Sequence, residues 1–404
     1  MLPKSSSSAV FSENLLLALA LALGAAVSLG ITRFAYGLLL VPMRIDLGWS
    51  YTIAGLMNTA NALGYFIGAL ATPFLMKRYG AAAVLLWGSV LASLFMGLSG
   101  FFTDTYLLLL QRLMAGIASA LVFIAGGLLV ARLAALEPQR GGLLLGIYYG
   151  GTGIGIFASA LLVPWVLASA GSTTHAWSWA WWALGLVCVL ATLCLMWPAK
   201  VLGQAQQATT SNQTSHQPDF QIKDFRFALA SYTLFGVGYI GYMTFVIALL
   251  KEQGVASHLI TIFYSLLGLA VMASSRIWAR LLDRYKGGQA LAILSALLSL
   301  ATLLPAITSI FFVIFLSGLL FGAVFLSLVA STTALVRHNV APSSWPKGIS
   351  AFTAVFAFGQ IVGPTMVGFV ADGPGGLALG LLFSSVALGL GAVLASRQKA
   401  LAAR

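Results

Sequence analysis

The sequence predicts an all-α membrane protein with 12 transmembrane helices in two pseudo-symmetric six-helix bundles. Three observations lead to this fold class. Hydrophobic residues make up 60% of the 404-residue chain and charged residues only 7%, whereas ordinary domains are about 25% charged. Twelve apolar segments are long enough to cross a bilayer. Motifs of the first half of the chain also recur in the second half at one fixed offset.

The predicted spans follow one another with short connections. A membrane helix needs about 20 mainly apolar residues. The first apolar run, which follows Lys4, superficially resembles a signal peptide, but it is too long for the apolar region of one and is interpreted as the first span. The twelve spans lie roughly at residues 15–42, 51–75, 81–102, 106–131, 142–168, 176–197, 226–250, 257–279, 289–308, 310–335, 349–371 and 376–396.

The internal repeat predicts two halves built on one plan. Arg78-Tyr79 recurs as Arg284-Tyr285, an offset of 206 positions (284 − 78). We therefore expect an N-terminal bundle at 1–199, a cytoplasmic linker at the polar stretch 200–225, a C-terminal bundle at 226–404, and a substrate site where the halves meet. The same offset also pairs Tyr36 with Tyr242, Gly48 with Gly254, Gly116 with Gly322, and Gly153 with Gly359.

The distribution of basic residues predicts the orientation. With the N-terminus in the cytoplasm, sixteen of the 21 Lys and Arg residues fall on the inner side, and only Arg44 and Lys251 fall on the outer side. This bias predicts that both termini are cytoplasmic, in a bacterial inner membrane. The net charge of +12 then faces the cytoplasmic leaflet, so we expect no nucleic-acid partner.

The residues that usually carry catalysis or bind metals are scattered. Cys188 and Cys194 lie in one apolar segment but on different helical faces, and we interpret both as core residues rather than as a disulfide or metal pair. An enzyme would need a nucleophile–base set or metal ligands. We therefore expect no enzyme, no cofactor and no metal. All four histidines fall in loops or at span ends: His175, His216, His258 and His338.

Two loop motifs carry a family resemblance. Lys77, Arg78 and Gly80 after span 2 and Asp283-Arg284 after span 8 resemble the G-x-L-x-D-R-x-G-R-K loop of the major facilitator superfamily. Span 4 contains Arg112-Leu-Met-Ala-Gly116, similar to that family's R-x-x-x-G element. The resemblance covers nearly the whole chain and implies the major facilitator fold. It also implies a cytoplasmic charge latch that involves Arg78, Asp283 and Arg284, weaker in the first half because Lys77 replaces the family's Asp.

Three stretches carry a narrower resemblance. They are "GITRFAYGLLLVPMRIDLGWS" in span 1, "NALGYFIGAL" in span 2 and "GVGYIGYMTF" in span 7. In these stretches the chain resembles the YbfB/YjiJ-type branch of bacterial facilitators. This resemblance implies membrane transport and says little about the substrate.

The interior of the predicted spans carries positive charge only. Arg33, Arg112 and Arg276 lie within spans, whereas all nine acidic residues lie in loops, in tails or near span ends. Charge inside the bilayer is costly and marks functional sites. Arg33 is about nine residues from Pro42, roughly 13 Å along a helix, which places it near mid-membrane. We predict that it binds an anionic substrate; the alternative is that it donates hydrogen bonds to backbone carbonyls of a neighbouring helix. Arg112 is expected to act in coupling or gating, or to tether neighbouring carbonyls. Arg276 either reaches the cavity or extends to the inner surface.

Neutral polar residues share faces of several spans. Asn58 and Asn61 align in span 2, Tyr148 lies in span 5, and Tyr239 aligns with Tyr242 in span 7. We predict that these residues line the substrate site; the alternative is that they hold helices together. The complete predicted set of substrate-binding residues is Arg33, Tyr36, Asn58, Asn61, Tyr148, Tyr239, Tyr242, Tyr264 and Gln360.

These features predict a monomeric carrier that works by alternating access in the lipid bilayer. The small-molecule substrate is expected to be an organic anion such as a carboxylate. Because no acidic residue or histidine lies deep in a span, anion exchange, uniport, or symport with a substrate-borne proton is favoured. Export of small neutral or amphiphilic compounds is the main alternative. A non-transporting sensor related to transporters also remains open, whereas a channel would need neither the repeat nor the latch.

Overall fold

A computed structural model describes residues 7–137, 140–204, 219–341 and 344–401. Twelve helical segments are long and apolar enough to cross a membrane, which confirms the predicted number of spans. Most of the predicted linker, residues 205–218, lies outside the described residues. The α-helices are α1 Ser7–Ala25, α2 Tyr36–Asp46, α3 Tyr51–Tyr79, α4 Ala81–Leu98, α5 Thr105–Leu136, α6 Gly141–Ala170, α7 Trp177–Gln204, α8 Arg226–Glu252, α9 Ser257–Ile277, α10 Ala279–Arg284, α11 Gln289–Ile307, α12 Phe311–Asn339, α13 Trp345–Ala371 and α14 Gly376–Ser396.

Two spans are interrupted helices. Span 1 consists of α1, a π-helical segment Ala26–Phe34 and α2, and span 8 consists of α9 and α10. The break in span 8 falls at Trp278, whose indole N–H donates to the carbonyl of Ala323 at 2.9 Å. Spans 2 to 7 are α3 to α8 and spans 9 to 12 are α11 to α14, in chain order.

Several helices extend beyond the apolar segment that predicts them. Helix α5 has 32 residues and is therefore about 48 Å long, whereas the hydrocarbon core of a bilayer is about 30 Å thick. The sequence predicts this span only at 106–131. The hydropathy pattern ends before the charged residue Arg132, although the helical backbone continues to Leu136.

The repeat is also present in the main chain. Gly48 after α2 and Gly254 after α8 both have a positive φ, +65° and +77°. A left-handed glycine after the last turn is a common way to end a helix, because it lets a later amide bond back to an open carbonyl. In both copies that bond is 3.0 Å long and spans the same number of residues: Trp49 N–H to Arg44 O, and Val255 N–H to Leu250 O.

Helix packing repeats as well. A Cβ added to Gly30 in the π-helical segment would lie 2.6 Å from the Cα of Gly155 in α6. In the second half, a Cβ added to Gly236, which lies 206 positions after Gly30, would lie 3.1 Å from the Cα of Gly359 in α13. Glycine at both positions lets the two backbones touch, as is common between membrane helices.

The first compact unit comprises Met1–Ala35 and Gly64–Ala208. Its core is apolar and includes Leu21, Leu85, Val122 and Leu129. Two serines join span 1 to α5 inside this core: each of Ser28 and Ser119 donates its hydroxyl to the other's carbonyl at 2.8 Å. Cys188 is buried, but Cys194 is exposed and does not belong to the core as predicted. Six residues rotate a helix by about 240°, so the two thiols point to different sides.

The second compact unit comprises Tyr36–Leu63 and Thr209–Arg404. Helix α2 packs closely on α8, since a Cβ added to Gly37 would lie 2.8 Å from the carbonyl oxygen of Met243. The boundary between the units therefore falls inside spans 1 and 2. The division into bundles 1–199 and 226–404, which rests on the repeat, stays a prediction.

Candidate substrate site

The π-helical segment that carries Arg33 is the central feature of the first unit. All nine of its residues, Ala26–Phe34, are buried. The hydroxyl of Thr32 donates to the carbonyl of Val27, five residues earlier, at 2.6 Å. This spacing fits the wider turn of a π-helix, and π-helical turns inside α-helices occur frequently at functional sites. The segment therefore marks the middle of span 1 as a place where regular helix geometry is interrupted.

Arg33 lies in the last turn of this segment. Its side chain is 3% exposed, and its guanidinium carbon lies 5.0 Å from the centre of the Tyr65 ring. A guanidinium over an aromatic face is attracted by the ring's negative face. The structure thus holds the positive charge of Arg33 in the interior, as the sequence indicates, and over the ring of Tyr65.

Arg112 is bound to the residue next to Arg33. It lies in the second turn of α5, is buried, and donates from Nη1 to the carbonyl of Thr32 at 2.7 Å. Its guanidinium also lies 5.5 Å from the ring of Trp181 in α7. This contact corresponds to the tethering alternative for Arg112, and it brings both arginines to one turn of span 1.

Tyr148 contacts a different part of the first unit. Its hydroxyl donates to the carbonyl of Phe123 in α5 at 2.7 Å, and its ring packs against Gly126 and Tyr149. Tyr148 also belongs to the apolar core of the unit. These contacts favour the alternative in which Tyr148 holds α5 and α6 together, and a role in substrate binding stays a prediction.

In the second unit, the predicted residues of spans 1 and 2 bind main-chain and side-chain partners. The hydroxyl of Tyr36 donates to the carbonyl of Ala54 at 2.9 Å. The Nδ2 of Asn58 donates to the hydroxyl of Thr244 in α8 at 2.8 Å. Asn61 is fully buried one turn further along α3. The predicted polar face of span 2 therefore faces the interior.

Tyr239 and Gln360 meet as a pair. The Tyr239 hydroxyl of α8 donates to Oε1 of Gln360 in α13 at 3.0 Å, and both side chains are buried. Tyr242, one turn further along α8, shares a hydrogen bond with the hydroxyl of Ser317 at 2.7 Å. Tyr264 in α9 is also fully buried. Polar groups of span 7 thus bind partners on two neighbouring spans.

An aromatic ladder runs through the second unit, and the sequence analysis missed it. The ring of Tyr239 stacks with Phe235, Phe325 and Phe356 at centroid distances of 4.8, 5.2 and 5.4 Å. The ladder continues on either side to Tyr232, which stacks on Phe356 at 4.9 Å, and to Phe321, which stacks on Tyr242 at 4.0 Å. The signal was present in the sequence, because these rings recur every three or four residues along α8 and α12.

The predicted gating residues on the loops that we expect to be cytoplasmic are exposed. Arg78 lies in the last turn of α3, with its guanidinium carbon 5.2 Å from the centre of the Tyr79 ring, while Asp283 and Arg284 lie on the short helix α10. Arg276 lies in the last turn of α9 and is exposed as well. For Arg276 the structure matches the alternative in which the side chain extends to the surface. A charge latch that involves the other three residues stays a prediction.

The nine predicted substrate-binding residues share deep burial, with no more than 3% of any side chain exposed. The structure brings Arg33 and Arg112 together in the first unit and pairs Tyr239 with Gln360 in the second. Among the described residues, no three or more His, Cys, Asp or Glu side chains lie together as a metal site requires.

Comparison with solved structures shows the fold. The nucleoside transporter NupG has a TM-score of 0.70 at 14% identity, over 95% of this chain and 99% of that chain. A bacterial homologue of the human lysosomal transporter Spinster, in its inward-facing unoccupied conformation, has a TM-score of 0.66 at 15% identity, over 97% of each chain. The protein therefore has the major facilitator fold.

A family model described as "Uncharacterised MFS-type transporter YbfB" matches residues 25–396. The chain belongs to this family of the major facilitator superfamily, which confirms both resemblances seen in the sequence.

Two relatives have names that point to different substrates. "Probable anion transporter 4, chloroplastic" of Arabidopsis thaliana is 31% identical over 158 residues, which cover 39% of this chain and only 28% of that relative. The "Quinolone resistance transporter" of Acinetobacter baumannii is 24% identical over an alignment of 407 positions, 90% of this chain and 89% of that relative. Both relatives are named as transporters, and their names do not agree on a substrate.

Proposed function

We propose that this protein carries a small organic anion, such as a carboxylate, across the bacterial inner membrane by alternating access. The observation that supports this most directly is the buried positive charge at the end of the π-helical segment. Arg33 lies there against Tyr65, and Arg112 donates to the preceding carbonyl. Two guanidinium groups are thus held at one turn of span 1.

Physical chemistry favours an anion at this turn. A charged side chain inside the bilayer is expensive and is retained mainly where it serves substrate, ions or a proton path. Guanidinium groups match carboxylates through paired, charge-assisted hydrogen bonds. The nine acidic residues lie outside the interiors of the spans, so a bound anion would balance the positive charge there. Relatives named as anion transporters support the same substrate class.

The neutral residues supply shape and hydrogen bonds in this proposal. Asn58, Tyr239 and Gln360 are buried and already bind other side chains. A substrate that replaces one of these partners keeps the polar group satisfied, which a buried hydrogen-bonding group requires. Because the residues are at most 3% exposed, substrate entry needs a movement of helices. Alternating access provides that movement.

The same charge pattern indicates how substrate transport is driven. A proton-driven carrier commonly uses a buried acid or histidine, and the sequence places neither deep in a span. We therefore expect anion exchange, uniport, or symport in which the substrate itself carries the proton. The bias of basic residues toward the predicted inner side supports an orientation with both termini in the cytoplasm.

A thermal-stability screen tests the proposal. The purified protein is heated in detergent with acetate, succinate, benzoate or inorganic phosphate, and a ligand at about 100 times its Kd stabilises by about 2.7 kcal/mol. We expect at least one anion to stabilise the parent and the Arg132→Ala variant but not Arg33→Ala. Arg132 is the matched control, because it is an exposed arginine at the inner end of α5. Equal stabilisation of Arg33→Ala by that anion would exclude Arg33 as its binding group.

Export of planar amphiphilic compounds is the second candidate function. The aromatic ladder around Tyr239 supports it, since stacked rings bind flat apolar molecules well. The relative named as a quinolone resistance transporter, which matches 90% of this chain, also supports it. The test is the efflux of a planar fluorescent dye from cells that express the protein. Faster efflux that Phe325→Ala abolishes and Arg33→Ala leaves unchanged would favour this function over anion transport.

A further inference from the structure

A carboxylate from the second half of the chain caps a helix of the first half. Asp372 follows α13, and its Oδ1 accepts the main-chain N–H of Tyr51 at 2.7 Å. Its Oδ2 accepts the main-chain N–H of Thr52 at 2.8 Å and the Thr52 hydroxyl at 2.6 Å. Tyr51 and Thr52 are the first residues of α3. The first amides of a helix have no partner within it, and its N-terminus favours negative charge.

The ring of Tyr51 adds a second set of contacts at the same place. Its hydroxyl donates to the carboxylate of Glu252, the last residue of α8. The guanidinium of Arg44, at the end of α2, lies 3.8 Å from the centre of the ring. Tyr51 thus ties the start of α3 to the ends of two other helices. The charged neighbours at this place are Arg44, Glu252 and Asp372.

Below this cap, α3 and α13 touch along their backbones. A Cβ on Gly55 would overlap the carbonyl of Pro364, and one on Gly368 would overlap the carbonyl of Tyr51. One turn further, the hydroxyl of Thr59 donates to the carbonyl of Ile361 at 2.7 Å. The helices leave no room for a side chain or a substrate between them along this stretch.

We propose that Asp372 is a gate residue, and that its cap on α3 keeps the predicted outer side of the carrier closed. The proposal rests on the transport function proposed above. In an alternating-access cycle, parts of the two sequence halves must separate on each side of the membrane in turn. The positive-inside bias places the start of α3 and the end of α13 on the outer side.

The position of Asp372 suits a contact that must break in every cycle. Its side chain is exposed, so water replaces the α3 donors as soon as the helices part. A buried ion pair would leave an uncompensated charge when it opens. Loss of a helix cap changes an equilibrium by roughly two- to thirtyfold, which is enough to bias a gate without locking it.

Cysteine labelling tests the gate without any substrate. Ala54 is fully buried in the first turn of α3. In right-side-out proteoliposomes, Ala54→Cys is treated with a membrane-impermeant maleimide, after Cys194 is replaced by alanine. We expect Asp372→Asn to increase the labelling rate about fivefold or more, as the loss of a charged cap predicts. An unchanged rate would overturn the proposal.

Asp104→Asn is the matched control. Asp104 is also an acid on the predicted outer side, and it caps its own helix through the N–H of Leu107 at 2.9 Å. Asp104→Asn removes the same charge from a helix N-terminus, where asparagine still caps the helix, and it breaks no contact between the halves. We expect labelling within about twofold of the parent, since a surface substitution of this kind has a small effect. An equal increase in both variants would show a charge effect and no gate.

If Asp372→Asn does not fold, the milder variant Thr52→Val tests the same contact. Thr52→Val removes one of the three donors and keeps both main-chain amides. We expect it to raise the labelling rate by about twofold or more, and a rate equal to that of the parent would count against the gate. Labelling requires no transported substrate. A failed gate is therefore distinguishable from a failed anion-carrier function, which the stability screen tests separately.

Discussion

Substitution of Gly30 by alanine is predicted to disturb the π-helical segment that carries Arg33. The new Cβ would lie 2.6 Å from both the Cα of Gly155 and the carbonyl oxygen of Thr152. Carbon atoms in contact are about 3.5 Å apart or more, so span 1 and α6 must separate by roughly 0.9 Å. Overpacking of this kind costs about 1–3 kcal/mol. We expect a lower thermal midpoint and weaker anion stabilisation.

Gly142→Ala is the matched control for this prediction. Gly142 lies near the start of α6, and a Cβ added there would meet no atom within 4 Å. Alanine is favoured over glycine in a helix by about 1 kcal/mol, so this variant should match or exceed the parent in stability. The assay is thermal unfolding in detergent, with and without the stabilising anion. A midpoint for Gly30→Ala equal to that of Gly142→Ala would refute the packing account.

Three further predictions concern the arginines, the gate and the tyrosine pair. Arg112→Met should lower stability by about 2–3 kcal/mol because the carbonyl of Thr32 loses a charge-assisted donor, whereas Arg132→Met should have little effect; denaturant unfolding measures both. Burial acts to raise the pKa of Asp372, but hydrogen bonds from Thr52 and Tyr51 outweigh it and hold the pKa below its ordinary value. The cap is therefore present above that ordinary pKa, about 3.9, and is lost as pH falls through the lowered value. Because maleimide reacts with the thiolate, the labelling rate of Ala54→Cys is divided by that of a small free thiol at the same pH. This ratio should stay constant from about pH 8 to 5, and a rise of the ratio as the pH falls within this range would contradict the prediction. Tyr239→Phe should cost about 1 kcal/mol, whereas Tyr106→Phe, at an 82% exposed position, should match the parent in the same unfolding assay.

The sequence predicts the spans and the burial of the site well, because both depend on local composition. Apolar length alone locates all twelve spans, and helical spacing alone turns Asn58 and Asn61 inward. The position of Arg33 within its span is enough to place its charge in the interior. The repeat predicts even the backbone, since Gly48 and Gly254 end equivalent helices in the same left-handed conformation.

The hydrogen-bond partners of the site residues could not be predicted from the sequence, because they lie far away in the chain. No hydropathy period distinguishes a π-helical turn from an α-helical one, so the interruption before Arg33 is invisible in the sequence. The acceptor for Arg112 is a main-chain carbonyl, which every residue possesses. Asp372 and Thr52 are far apart in the chain, and each alone is an ordinary residue at a helix end. The aromatic ladder could have been predicted, because its rings recur at helical spacing along α8 and α12.

Uptake of radiolabelled succinate and benzoate into proteoliposomes tests the central claim most directly. The parent, Arg33→Ala and Arg132→Ala proteins are reconstituted at equal amounts, and the vesicles are preloaded with the same unlabelled anion to drive exchange. We expect the parent and Arg132→Ala to exceed protein-free vesicles for at least one anion, and Arg33→Ala to match the protein-free vesicles. Uptake by Arg33→Ala equal to that of the parent, or no uptake of either anion by the parent, would contradict the small-carboxylate carrier.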